Sequence, residues 1–79
     1  MTLLEATKRI ITELCENKNM NINQLAISSG INPSTIRSIF KVITKAPSSE
    51  TIYYICIGLN ITLKEFYDSN LFNDLDDND

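Results

Sequence analysis

Five helix-start signals divide this chain of 79 residues into segments that each allow only a few helical turns. Thr2-x-x-Glu5 and Thr62-x-x-Glu65 are capping boxes, in which a hydroxyl and a carboxylate satisfy backbone N–H groups at the start of a helix. The other starts are marked by single capping residues: Asn21, Asn32 before Pro33, and Ser48 or Ser49. The Ile-rich run from Ile52 to Ile61 also suits a strand, but the caps on either side favour helix.

Between these signals, apolar residues recur every three or four positions, as in helices with one buried face. The recurring positions are Leu3, Ala6, Ile10 and Leu14; Ile22, Leu25 and Ala26; Ile36 and Ile39; Ile52, Ile55, Cys56 and Leu59; and Leu63, Phe66 and Tyr67. The first helix is predicted over residues 3–17, and a loop is predicted from Val42 to Pro47. We therefore predict a compact all-α domain of five helices over residues 1–67, followed by an acidic tail over residues 68–79.

Composition argues against an enzyme and against a metal or cofactor site. The chain has no histidine, which is the commonest general base and metal ligand. Cys15 and Cys56 lie in apolar helical patterns and form no C-x-x-C pair, so both are predicted to be inert thiols in a reducing cytoplasm. A chain this short leaves little room for a small-molecule cavity. No apolar run approaches the roughly 18–20 residues that a membrane span needs.

Charge is distributed unevenly along the chain. The net charge is −3, but residues 68–79 hold five acids and no base, so residues 1–67 carry +2. No acidic residue lies between Glu16 and Glu50, a stretch that includes Arg37 and Lys41. A weakly basic middle is compatible with a nucleic-acid partner, and equally with an ordinary solvated surface.

The spacing of Ala26, Gly30, Ile36 and Ile39 is that of a helix-turn-helix over roughly residues 22–41. A small residue at Ala26 lets two helices cross closely, and Gly30 permits the left-handed backbone of a tight turn. Ile36 and Ile39 would hold the second helix against the first, leaving its outer face free to enter a DNA major groove. An ordinary helical hairpin in a small bundle has the same spacing.

Two longer motifs resemble the lambda-repressor-like family, also called XRE or Cro-like. They are Met20-Asn21-Ile22-Asn23-Gln24-Leu25-Ala26 and Ser29-Gly30-Ile31-Asn32-Pro33-Ser34-Thr35-Ile36, and the resemblance covers residues 3–67. It implies a sequence-specific regulator of transcription that binds double-stranded DNA, here predicted to be a repressor. Members of this family usually bind a near-palindromic operator as dimers.

The resemblance also implies which residues contact DNA. Pro33, Ser34 and Ser38 match base-contacting positions, and Arg37, on the same exposed face, is expected to reach a guanine edge or a phosphate. The residues expected at phosphates are Asn21, Asn23, Asn32, Lys41, Thr44 and Lys45. Asn21 and Asn23 are included because Ile22 stands where the family often has a phosphate-binding Gln.

Three further positions depart from the family. Val42 follows the recognition helix where relatives commonly have Gly. Cys15 and Phe40 occupy positions at which relatives form an Arg–Glu ion pair, so an apolar contact is expected to replace a polar one. If Phe40 is fully buried there, its replacement by Ala should cost about 3–5 kcal/mol.

A homodimer is expected, with the C-terminal segment contributing apolar side chains. These are Phe66, Tyr67, Leu71, Phe72 and Leu75. Other interpretations remain open. The acidic tail could be disordered. The chain could also be an antitoxin or anti-repressor-like interaction module that binds a basic partner with that tail, or a structural bundle without affinity for nucleic acid.

Overall fold

The computed structural model describes residues 1–41 and 47–75, which form five α-helices and one short 3₁₀ turn. The helices are α1 (Leu3–Asn17), α2 (Ile22–Ser29), α3 (Pro33–Lys41), α4 (Ser49–Leu59) and α5 (Leu63–Tyr67), and the 3₁₀ turn is Asn70–Asn73. The described ranges contain no strand. The all-α prediction is confirmed; of the predicted loop, residues 42–46 lie outside the described residues.

The helix boundaries follow the capping residues. Thr62 accepts a hydrogen bond on its hydroxyl from the backbone N–H of Glu65 at 3.0 Å, and the Glu65 carboxylate accepts one from the N–H of Thr62 at 3.0 Å. Ser48 caps α4, and Asn60 ends it with a left-handed backbone at φ 59°. Each cap satisfies a backbone group that a helix end leaves without an intrahelical partner, so short helices end where the sequence predicts.

A single apolar core joins all five helices. It is formed by Ile10, Ile11, Leu25, Ala26, Ile36, Ile39, Ile52, Ile55, Cys56, Leu59 and Phe66. Most of these residues belong to the predicted helical pattern. The core thus fixes the orientation of α3, which contributes Ile36 and Ile39 and presents its other side to solvent.

Helices α2 and α4 approach each other more closely than ordinary side chains permit. Gly58 in α4 lies against Ser29 in α2, and a Cβ atom added at Gly58 would meet the Ser29 hydroxyl and lie 2.9 Å from its backbone nitrogen. Ser29 is itself buried. The absence of a side chain at Gly58 therefore sets the distance between the two helices.

In the C-terminal part of the chain, fewer apolar residues are buried than the sequence pattern predicts. Leu63 and Tyr67 are 40% and 46% exposed, because a helix of five residues buries only one narrow face, and Phe66 fills it. Leu71 and Phe72 pack against the chain's own core. Much of the apolar surface expected to serve a dimer is thus covered within one chain.

Among the described residues, no helix combines the length and the apolar character that a membrane span requires.

We predict that Gly58→Ala destabilises the fold by about 1–3 kcal/mol, because the added methyl group overpacks the contact between α2 and α4. Urea unfolding measures the loss. Ser29→Ala is the matched control, since it removes an atom from the same contact and should not lower stability in this way. A Gly58→Ala protein as stable as the wild type would show that the two helices are not in close contact.

Candidate nucleic-acid interface

The second helix begins with a capping box made of two amide side chains. Asn21 accepts a hydrogen bond on Oδ1 from the N–H of Gln24 at 2.8 Å, and Gln24 accepts one on Oε1 from the N–H of Asn21 at 2.8 Å. At its other end, Gly30 has the predicted left-handed backbone at φ 70°. The turn that follows therefore has a fixed direction, and α3 starts at a defined angle to α2.

The third helix is started by Asn32 and Pro33, as predicted. The Asn32 side chain accepts hydrogen bonds on Oδ1 from the backbone N–H of Ser34 at 2.9 Å and from its hydroxyl at 2.7 Å. Pro33 has no N–H that would need a partner in this first turn. The oxygen of Asn32 is thus used within the chain, and its amide nitrogen remains as a donor.

The outer side of α3 forms one continuous surface of polar side chains. Ser34, Arg37, Ser38 and Lys41 line a single shallow depression, and all four are exposed. We call this set the α3 outer surface. Pro33, the remaining residue predicted to read bases, is half-buried at the start of the helix and does not line the depression.

Both serine hydroxyls of the α3 outer surface donate hydrogen bonds within the protein. Ser34 donates to Asn32, as described above, and Ser38 donates to the backbone carbonyl of Thr35 at 2.8 Å. A hydroxyl that has used its single proton still has lone pairs that accept hydrogen bonds. In this arrangement the two serines present acceptors to a partner.

Arg37 makes a contact that the sequence patterns did not predict. Its Nη2 donates a hydrogen bond to Oδ1 of Asn23, on α2, at 2.8 Å. The two residues are 14 positions apart in sequence. No short-range sequence motif predicts such a pair, because the contact depends on the angle between α2 and α3. The only available signal was the alignment of both helices with the helix-turn-helix motif.

The helix pair α2 and α3 carries positive charges and no negative one. No acidic residue occurs between Glu16 and Glu50, so neither helix of the pair carries a carboxylate that could neutralise Arg37 or Lys41. Asn21 and Asn23 are exposed at the start of α2. The other two expected phosphate contacts, Thr44 and Lys45, lie outside the described residues.

Cys15 and Phe40 lie together in a second depression, which is apolar and is also lined by Ile11 and Leu25. Phe40 is only half-buried, although it packs against the core. The expectation of complete burial was therefore wrong: Phe40 is the second-last residue of α3 and keeps part of its surface exposed to solvent. Burial raises the pKa of the Cys15 thiol above its usual value, as expected for a thiol in apolar surroundings.

Comparison with known proteins agrees with this geometry. A family model of the Cro/C1-type helix-turn-helix DNA-binding domain matches residues 11–70, which include α2, α3 and most of the core. The chain belongs to the Cro/C1-type helix-turn-helix family. Membership in this DNA-binding family supports a regulator of transcription that binds double-stranded DNA, and the family is typically non-enzymatic.

A solved structure supports the same assignment across nearly the whole chain. The crystal structure of the prophage Lp1 protein 11 matches with a TM-score of 0.82 and 31% sequence identity, covering 95% of this chain and 99% of that chain. No curated protein matches at a significant level. The Cro/C1-type fold of this chain thus extends beyond α2 and α3 to the whole bundle.

The half-burial of Phe40 lowers the expected effect of its removal. We predict that Phe40→Ala costs about 2 kcal/mol of unfolding free energy in urea, less than the loss for a fully buried Phe. Phe40→Leu, the matched control, keeps most of the apolar contact and should cost under about 1 kcal/mol. A loss below about 0.5 kcal/mol for Phe40→Ala would place the ring on the surface, away from Cys15.

Proposed function

We propose that this chain is a cytoplasmic, sequence-specific transcriptional repressor that binds a near-palindromic operator as a homodimer. The α3 outer surface carries the proposal, because Ser34, Arg37, Ser38 and Lys41 form one continuous polar surface on an exposed helix. A DNA major groove is about 12 Å wide and accommodates one α-helix, and its base edges distinguish all four base pairs.

The serines are assigned to base reading. Because the hydroxyls of Ser34 and Ser38 donate within the protein, each offers lone pairs to a base. Amino groups of cytosine and adenine are the donors in the major groove, so these bases are the favoured partners. Pro33, at the start of the same helix, would add an apolar contact to a base edge.

The remaining polar residues are assigned to guanine and to phosphate. Arg37 has the reach and the planar donor fork for a bidentate contact with guanine. Phosphate contacts, which position a protein without reading sequence, are assigned to six residues, of which Lys41 also belongs to the α3 outer surface. These are Asn21, Asn23, Asn32, Lys41, Thr44 and Lys45.

The test of this function is selection of duplex DNA from a random pool by the purified protein. We expect enrichment of a motif with approximate twofold symmetry. Binding to that motif should weaken with salt along a straight line of log affinity against log salt concentration, since phosphate contacts release counterions. An unenriched pool would contradict the proposal, and binding to a basic protein in place of DNA would favour the interaction-module alternative.

Truncation of a base-reading side chain and truncation of a phosphate-binding side chain should have different effects on DNA binding. Ser34→Ala or Ser38→Ala should change which operator variants bind, by about 1 kcal/mol at the affected base pair. Lys41→Ala or Lys45→Ala should weaken all sequences alike and lower the salt slope by about one unit. Binding measured on a panel of single-base variants decides the matter; a lysine variant that shifts base preference while the serine variants do not would contradict the assignment.

Dimer formation is proposed because two half-sites one helical turn apart need two recognition helices at a fixed separation. Tyr67 and Leu63 remain exposed on α5 and are the side chains of this segment most available to a second copy. Sedimentation of the protein with its selected duplex should give two chains per duplex, and Tyr67→Ser should shift the complex towards one chain. One wild-type chain per duplex would contradict the dimer.

A further inference from the structure

The hydrogen bond between Asn23 and Arg37 joins the two helices of the helix-turn-helix on their solvent side. Both residues are exposed, and Nη2 of Arg37 lies 2.8 Å from Oδ1 of Asn23. The two helices are already held together by buried side chains, among them Leu25, Ile36 and Ile39. The fold therefore does not require this bond.

The chemistry of the pair fixes the orientation of the amide. A guanidinium group has only donors, so the Asn23 atom that faces Arg37 must be the oxygen. The amide nitrogen then points elsewhere and keeps its own donors. Because Asn23 is neutral, the positive charge of Arg37 remains available to DNA, whereas a carboxylate at this position would neutralise it.

We propose that Asn23 is a positioning residue that holds the Arg37 guanidinium in the direction of a guanine edge before DNA binds. This inference rests on the proposed function and adds a specificity role to a residue otherwise assigned to phosphate. One donor of Arg37 is used by Asn23, and enough remain for the two bonds of a bidentate guanine contact.

The expected gain is entropic. A free Arg side chain samples many rotamers, and ordering it on binding lowers affinity by roughly 2- to 12-fold. A bond already present in the unbound protein removes part of that cost. The gain appears only at the base that Arg37 contacts, because Asn23 acts through Arg37.

The experiment uses the full chain and its selected operator, in which each guanine is replaced in turn by 7-deazaguanine. This analogue lacks the N7 acceptor that an Arg fork requires. The guanine whose replacement weakens the wild type but not Arg37→Ala is the Arg37 contact. We expect Asn23→Ala to reduce discrimination at that guanine by at least about 2-fold, but by less than the roughly 12-fold upper limit of the ordering cost, and to leave discrimination at other guanines unchanged.

Three further variants separate positioning from direct contact. Asn23→Ala should have no effect on discrimination when Arg37 is already Ala. Asn23→Asp keeps the acceptor oxygen, so it should retain discrimination at the Arg37 guanine while lowering affinity for every duplex. Ser28→Ala, an exposed change elsewhere on α2, is the control and should alter neither quantity.

The proposal is overturned if Asn23→Ala leaves discrimination at the Arg37 guanine intact, or if no guanine depends on Arg37. Unchanged urea midpoints for all variants are expected, since the bond is not part of the core. Failure of the wild type to enrich any duplex would overturn the proposed function itself, and this result is visible before any variant is compared.

Discussion

Helices α2 and α4 pack so closely at Gly58 and Ser29 that a single methyl group would not fit between them. This contact determines where α2 lies, and α2 in turn supports α3 through the core that Leu25 and Ala26 share with Ile36 and Ile39. The direction of the α3 outer surface thus depends on the packing contact between α2 and α4. The Ser29 hydroxyl is buried at this contact and has no hydrogen-bond partner among the described residues.

Given that packing, the chemistry of the interface follows from short polar side chains held in place by their neighbours. Asn32 starts α3, and its Oδ1 also accepts a hydrogen bond from the Ser34 hydroxyl. Asn23 does the equivalent for Arg37 from the first turn of α2. Hydrogen bonds within the chain therefore decide which donors and acceptors remain available to a partner. The lack of carboxylates between Glu16 and Glu50 leaves this surface cationic although the whole chain is acidic.

The sequence predicted the local structure well because each helix start depends on a few adjacent residues. Thr2, Asn21 and Thr62 cap helices through bonds to the residue three positions later, which a motif can capture. Features that depend on tertiary distances were missed or misjudged. The Asn23–Arg37 bond spans two helices, and the half-burial of Phe40 depends on where α3 ends relative to the core. The DNA-contacting residues remain predictions, since their roles depend on a partner.

We propose that the α3 outer surface is the part of this protein that contacts DNA. Backbone amide NMR shifts, followed while the selected operator duplex is added, test it most directly. We predict that the largest changes fall on Ser34, Arg37 and Ser38 and on the first turn of α2, with small changes on the exposed side of α4. The largest changes on Tyr53, Tyr54 and Ile57, with α3 unaffected, would contradict the account.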